Sequence, residues 1–311
     1  MLRYILKRIG YMLVTLWIII TITFMLIHAV PGDPLASMAR KLPDQIKANF
    51  YAKYGLDQPI MVQYGRFMKR LVLHGDAGES LNYAGRSVTE TIFKYAPTSA
   101  RLGVQALVVG VSVGIILGVI AAFNRNTWVD YLVMFIAIIG IAVPSFVLAA
   151  VLQYTFTVKY QLLPTTGWKT FKHTILPTIA MCFGSIATYA RYMRTSVLDV
   201  VGQDYILTAK AKGVSKIALV WKHVLRNALM PAITMLGPQI AGLFGGTFVI
   251  ESIFAIPGIG FNFVEAINNR DYTMILGETI FLATLYIVSL LIVDILYCVV
   301  DPRIRLNGES R

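Results

Sequence analysis

The chain is organised as long apolar runs separated by polar stretches. Gly10–Val30 contains no Asp, Glu, Lys or Arg and one histidine, His28; as a helix it reaches roughly 30 Å, the thickness of a bilayer's hydrocarbon layer. Leu102–Phe123 and Leu132–Val158 are free of charge and separated by the short polar stretch Asn124–Asp130, which predicts a helical hairpin. Thr174–Ala190 and Asn227–Ile250 are charge-free as well, and Met274–Val300 carries only Glu278 and Asp294. The pattern therefore predicts an all-α polytopic membrane protein with six transmembrane helices. Pro144, Pro177, Pro231 and Pro238 fall in or beside these runs, where neighbouring helices can accommodate a kink.

Composition agrees with this reading: 57% of the 311 residues are AVILMFWYC and 14% are charged, with a mean hydropathy of +0.66. A soluble enzyme, a disordered chain and a disulfide scaffold are all disfavoured. The two cysteines, Cys182 and Cys298, lie in apolar runs and read as small buried hydrophobes without a disulfide. The net charge of +12 does not point to nucleic acid, because the basic residues flank the apolar runs instead of forming a basic domain. Arg3, Lys7 and Arg8 precede the first run as in a signal peptide, but that run exceeds the roughly 7–15 apolar residues of a signal core and no small-residue cleavage site precedes Pro31, so the segment reads as retained.

Six spans place both termini on one side. The N-terminus, Arg125, residues 191–226 and the C-terminal tail carry fourteen Lys and Arg, against four in the two short loops opposite (Lys159, Lys169, Lys172 and Arg270). Both termini and the 191–226 loop are therefore expected in the cytoplasm. Residues 31–101 hold ten Lys and Arg and pull the other way, but charge in loops beyond about 60 residues steers orientation poorly. The expected organisation is a cytoplasmic end and first span over 1–30, an extracytoplasmic region over 31–96, a membrane core of five helices over 97–300, and a cytoplasmic tail over 301–311. Turn chemistry punctuates the extracytoplasmic region at Pro31–Pro34, Tyr54–Pro59 and His74–Ser80, with helices expected over Asp44–Lys53 and Pro59–Leu73 and Ser87–Lys94 leading into the second span.

The 191–226 loop has helix signals of its own. Asp204 sits in the first turn of a short helix and Lys210 and Lys212 in the last, matching the macrodipole, and Gly213 occupies the left-handed position beyond its end. Ser215 is placed to cap a following helix that runs to Leu225. Thr208, Ala209 and Ala211 keep parts of the short helix small enough for another surface to approach. Spacing alone leaves a solvated amphipathic connector as an equal alternative.

The chain resembles the type I ATP-binding-cassette importer permeases, in their oligopeptide/dipeptide/nickel branch, nearly from end to end. The likeness is carried by Pro31–Pro34, Tyr54–Pro59, Gly140–Phe146, Leu162–Pro164 with Gly167–Trp168, Gln203–Gly213, His223–Pro231, Phe254–Gly260 and Asp301–Arg305. It implies the type I importer permease fold with an extracytoplasmic insertion between helices 1 and 2. It also implies that the loop before span five is a coupling helix docking into a cytoplasmic ATPase, a role that falls to Asp204, Tyr205, Thr208, Ala209, Ala211, Lys212 and Gly213. Two departures narrow the assignment to that branch: Leu207-Thr208-Ala209 stands where the wider signature begins Glu-Ala-Ala, and Pro231 stands 18 positions after Gly213, more than in the wider family. The partners implied are a second homologous permease subunit, two ATP-binding-cassette ATPase subunits, an extracytoplasmic peptide-binding protein and the lipid bilayer.

No glycine-rich loop ending in Gly-Lys-Ser/Thr occurs in the sequence, so ATP and magnesium are expected on the partner ATPases and no cofactor on this chain. His28, His74, His173 and His223 lack close metal-ligand spacing, and no serine pairs obviously with His28 for an intramembrane protease. The expected function is a non-catalytic permease subunit importing oligopeptides or dipeptides. A nickel or other small-solute importer is the alternative within the family, and an ion-coupled secondary transporter using Asp294 or Glu278 the alternative outside it. Gly110, Gly114 and Gly118, like Gly242 and Gly246, repeat every four residues and predict close helix packing.

Overall fold

The computed structural model describes residues 2–29 and 44–300, although not every side chain within them. Its order is α1 Leu2–Ala29, α2 Asp44–Tyr54, α3 Ile60–His74, α4 Val88–Phe123, α5 Trp128–Ala142, α6 Ser145–Gln153 prolonged by a π-helical turn Tyr154–Lys159, and α7 Lys172–Val201. There follow α8 Asp204–Ala211, α9 Lys216–Leu219, a π-helical turn Val220–Val224, α10 Leu225–Thr234, α11 Leu236–Ile253, α12 Ile259–Asn268 and α13 Tyr272–Val300. Among the described residues the only β pairing is one isolated bridge, Glu79 with Ser87. The motifs Pro31–Pro34 and Asp301–Arg305 lie outside the described residues, the side chains of Asp294 and Cys298 are not described, and neither is the packing around Gly242 and Gly246.

Among the described residues three helical stretches are long and apolar enough to cross a membrane: Leu6–Ala29, Val88–Phe123 and Tyr272–Ile292. A fourth follows if α5 and α6 form one span, but they are bent by 102° at Val143-Pro144, so the expected run Leu132–Val158 is a broken element and not one rod. Pro144 explains the break, since it has no N–H to give the Gly140 carbonyl and biases Val143 to extended backbone, observed at φ −87°, ψ 119°. The two remaining expected spans correspond to α7, 30 residues long, and to α10–α11, interrupted at Met235.

The residues separate into two compact units. One combines the described residues up to Ser99 with Pro257–Ile287, the other Ala100–Ile256 with the chain from Val288. The expected boundary at 96/97 falls inside α4, which continues through Pro97.

In the first unit α2 and α3 form where the sequence places them. Gly75 ends α3 in the left-handed region (φ +62°), with its N–H on Leu71 O at 3.0 Å. Phe67 of α3 packs with Ile20 and Phe24 of α1 and Leu276 and Ile280 of α13. Asp271, buried before α13, accepts hydrogen bonds from Ser80 Oγ, the Leu81 N–H at 3.1 Å and the Met274 N–H at 3.2 Å. One carboxylate thus ties the loop before α4 to the start of α13.

In the second unit α4 lies along α7. A Cβ built on Gly110 would be 2.8 Å from Ser185 Cβ, on Gly114 2.6 Å from Tyr189 Cβ, and on Gly118 2.5 Å from the Ala190 carbonyl oxygen, so the glycine repeat is the groove that receives α7. The α4–α5 hairpin turns as expected, with Asn126 left-handed (φ +62°) and its N–H on Asp130 Oδ2 at 3.0 Å.

Candidate functional site

The 191–226 segment is built from α7 outward. Gly202 ends α7 and Gln203, extended at φ −80° and ψ 147°, opens α8 by accepting the Ile206 and Leu207 N–H groups on its carbonyl at 3.0 and 3.3 Å. The other end closes as the sequence predicts. Gly213 is left-handed (φ +74°), its N–H reaches Lys210 O at 3.0 Å, and the Val214 N–H reaches Ala209 O at 3.2 Å. That pair of bonds is a Schellman closure, which needs a residue free of the left-handed Cβ penalty. Asp204 lies in the first turn and Lys210 in the last, so charge and macrodipole agree.

Residues three apart on α8 share a face. Ile206 is 0% exposed and Ala209 7%, both packed among Met193 and Val197 of α7, Leu219, and Leu225 and Ala228 of α10. Asp204, Tyr205, Leu207, Thr208, Lys210, Ala211, Lys212 and Gly213 are exposed. Of the seven residues singled out from sequence, six therefore share the outward surface. Ala209 does not: it is the floor on which the helix rests, and its small size serves packing. Tyr205 is steadied by a hydrogen bond from Asn227 Nδ2 to its hydroxyl at 3.0 Å, and the Thr208 hydroxyl donates to Asp204 O at 3.0 Å.

Ser215 caps the next helix as expected, accepting the Leu219 N–H on its carbonyl at 2.8 Å and the Ala218 N–H on Oγ at 3.4 Å. That helix does not stop at Leu225. It passes through the Val220–Val224 π-helical turn into α10, because Leu219, Val224, Leu225, Ala228 and Ala232 keep one buried face through the register change. The turn leaves Trp221 exposed, with Ile217 exposed before it and Leu207 exposed on α8. These three are apolar residues exposed on a polar segment, and none of them is among the site residues singled out from sequence. Their sign in the sequence is apolar character at positions outside the buried 3.6-residue stripe.

The start of α5 is tied to the end of α7 by an ion pair. Arg194 Nε and Nη2 donate to Asp130 Oδ1 and Oδ2 at 2.5 and 2.6 Å; the aspartate side chain is 2% exposed and the arginine 25%. A bidentate pair fixes both orientation and distance, so the hairpin and the helix leading into α8 are held in register. Glu251 and Glu278 are buried, as expected for acidic groups in apolar runs.

The sequence model for binding-protein-dependent transport system inner membrane components matches residues 114–306, and the model for the N-terminal part of such membrane components matches residues 1–98. The dipeptide transport system permease protein DppB of Bacillus subtilis (strain 168) is 43% identical over 310 residues, covering 100% of both chains. The oligopeptide transport system permease protein OppB of Salmonella typhimurium is 41% identical over 307 residues, covering 98% of this chain and 100% of the relative. Among solved structures, an amino acid ABC transporter crystallised with histidines has a chain that is 15% identical, with a TM-score of 0.52 over 69% of this chain and 94% of that one, which shows a shared fold. With a family model over more than half of its length and full-length relatives above 40% identity, the chain belongs to the binding-protein-dependent transport system inner membrane components.

Proposed function

We propose that the chain is the permease subunit of an ATP-driven peptide importer, forming half of a translocation pathway and passing the ATPase cycle into the membrane through α8. The observation that carries this reading is the end-to-end likeness to chains named dipeptide and oligopeptide permeases. The docking role rests on α8 itself, a short helix closed at both ends, anchored by Ile206 and Ala209, with Asp204, Tyr205, Thr208, Ala211, Lys212 and Gly213 facing outward. A partner that moves this face moves α7 and α10 with it, because all three share one core.

In this reading the chain has six spans with both termini cytoplasmic, residues 31–96 are extracytoplasmic, and 97–300 form the membrane core. A second homologous permease completes the pathway, two ATPase subunits bind ATP and magnesium, and an extracytoplasmic binding protein delivers peptide. The test is uptake of a labelled peptide into vesicles. The assembled complex accumulates it only with ATP on the ATPase side, and the isolated chain neither hydrolyses ATP nor accumulates peptide. Uptake by the isolated chain driven by a proton or sodium gradient contradicts the proposal.

A further inference from the structure

The α5–α6 break opens a cleft of about 520 Å³ within the second unit, bounded by Gly140, Ile141 and Val143–Ser145, by Met181, Ser185 and Thr188 of α7 and by Gln239 of α11. That volume lies within the roughly 300–1,000 Å³ of small-ligand sites. No residue lining it is charged, although the chain as a whole carries 44 Lys, Arg, Asp and Glu.

The cleft offers both halves of amide hydrogen bonding. At the end of α5 the Val143 N–H takes the Ile139 carbonyl at 2.9 Å, but the Gly140 carbonyl has lost its helical donor to Pro144, and those of Ile141 and Ala142 lie in the unpartnered last turn. At the start of α6 the Val147 and Leu148 N–H groups share Pro144 O at 3.0 and 3.1 Å, and no side chain caps the helix for Ser145 and Phe146. Gln239 Oε1 accepts the Ser185 hydroxyl at 2.6 Å, while its Nε2 donors have no partner among the described residues. Broken backbone in the middle of an apolar run is tolerated only where it faces protein or a wet cavity, and this cleft is where it faces.

Resting on the peptide-import reading, we infer that this cleft is a contact site for the peptide main chain in transit. The Gly140 and Ile141 carbonyls accept peptide N–H groups, and Gln239 Nε2 and the Ser145 N–H at the start of α6 donate to peptide carbonyls. With no charge in the lining, the site reads the backbone common to all peptides and discriminates little between acidic and basic side chains.

The experiment uses the complete complex, with its ATPases, second permease and binding protein, in proteoliposomes. A benzophenone amino acid replaces Ile141, which lines the cleft, or Phe135, which does not. Radiolabelled Ala-Ala-Ala, Ala-Lys-Ala and Ala-Glu-Ala are supplied during turnover. All three are expected to photolabel the chain from position 141 in similar yield and none from 135. Gln239→Leu, in the complex without benzophenone, is expected to lower the maximal uptake rate about three- to tenfold, the effect of one lost hydrogen bond, by the same factor for the three peptides and with the KM for loaded binding protein unchanged. Uptake without labelling at 141, labelling of only one charge class, or full-rate uptake by Gln239→Leu overturns the inference while leaving peptide import standing. Failure of the unmodified complex to take up any of the three peptides overturns the import reading together with it.

Discussion

Gly118→Ala is the sharpest structural test of how α4 and α7 are packed. The added methyl would stand 2.5 Å from Ala190 O, 2.6 Å from Met193 Cβ and 3.0 Å from Arg194 N. Two of these three neighbours are backbone atoms, which cannot rotate away. Restoring ordinary contact requires the helices to part by roughly 1 Å, and such overpacking costs about 1–3 kcal/mol. Alanine regains up to about 1 kcal/mol of helix propensity, leaving after the full gain a net loss of up to about 2 kcal/mol. Gly103→Ala, on the same helix with nothing within 4 Å of its built Cβ, keeps the propensity gain and is expected to be neutral or up to about 1 kcal/mol stabilising. Thermal inactivation midpoints of the assembled complexes should therefore fall for Gly118→Ala and hold or rise for Gly103→Ala. Equal midpoints, or a higher one for Gly118→Ala, would refute the close packing. A loss confined to transport at unchanged stability would refute it as well.

Further expectations come from the end of α8, from the ion pair between α5 and α7 and from the proposed orientation. Gly213→Val meets no neighbour, since nothing lies within 4 Å of the built Cβ, but it must hold a left-handed φ of +74°, a strain of about 1–2 kcal/mol; substrate-stimulated ATP hydrolysis should drop while insertion of the chain, followed by protease protection, is unchanged. Arg194→Leu strands the buried Asp130 carboxylate and should destabilise the complex by about 3 kcal/mol, whereas the Asp130→Leu/Arg194→Leu double variant should recover much of the loss; a double variant no more stable than the single one would show that the pair is not what holds the two helices. Single cysteines at Gly75 and Thr170 should react with an impermeant thiol reagent from outside the cell and ones at Arg125 and Ser215 should not, and outside labelling at Ser215 would remove α8 from the cytoplasm.

Much of this architecture is legible in the residues because local chemistry decides it. Gly75 and Gly213 stop their helices in the left-handed region, Ser215 caps the next, and Asn124–Asp130 turns the hairpin, all through contacts within a few positions. What sequence reasoning missed depends on distant partners or on a register change. Pro144 announces a kink, but whether the chain bends slightly or by 102° depends on what the freed carbonyls can face. The Val220–Val224 π-helical turn continues a helix that the Ser215 signal alone could not extend past Leu225. Asp130 and Arg194 stand 64 positions apart, and nothing local pairs them. Ala209 falls in the coupling segment that the resemblance implies, although its spacing of three from Ile206 puts it on the buried stripe. The glycine repeat on α4 was readable as a packing face, and α7 is the helix it receives.

The central claim is that the outward face of α8 meets the ATPase, and site-directed capture tests it most directly. Leu207→Cys, Ala211→Cys and Ala209→Cys would be placed one at a time in a chain lacking Cys182 and Cys298, assembled with ATPase subunits carrying a cysteine in the groove that would receive the helix, and treated with a short bifunctional thiol reagent. Capture from positions 207 and 211 but not from the buried position 209 is the predicted result. Complexes that import peptide normally yet give no capture from 207 or 211 would contradict it.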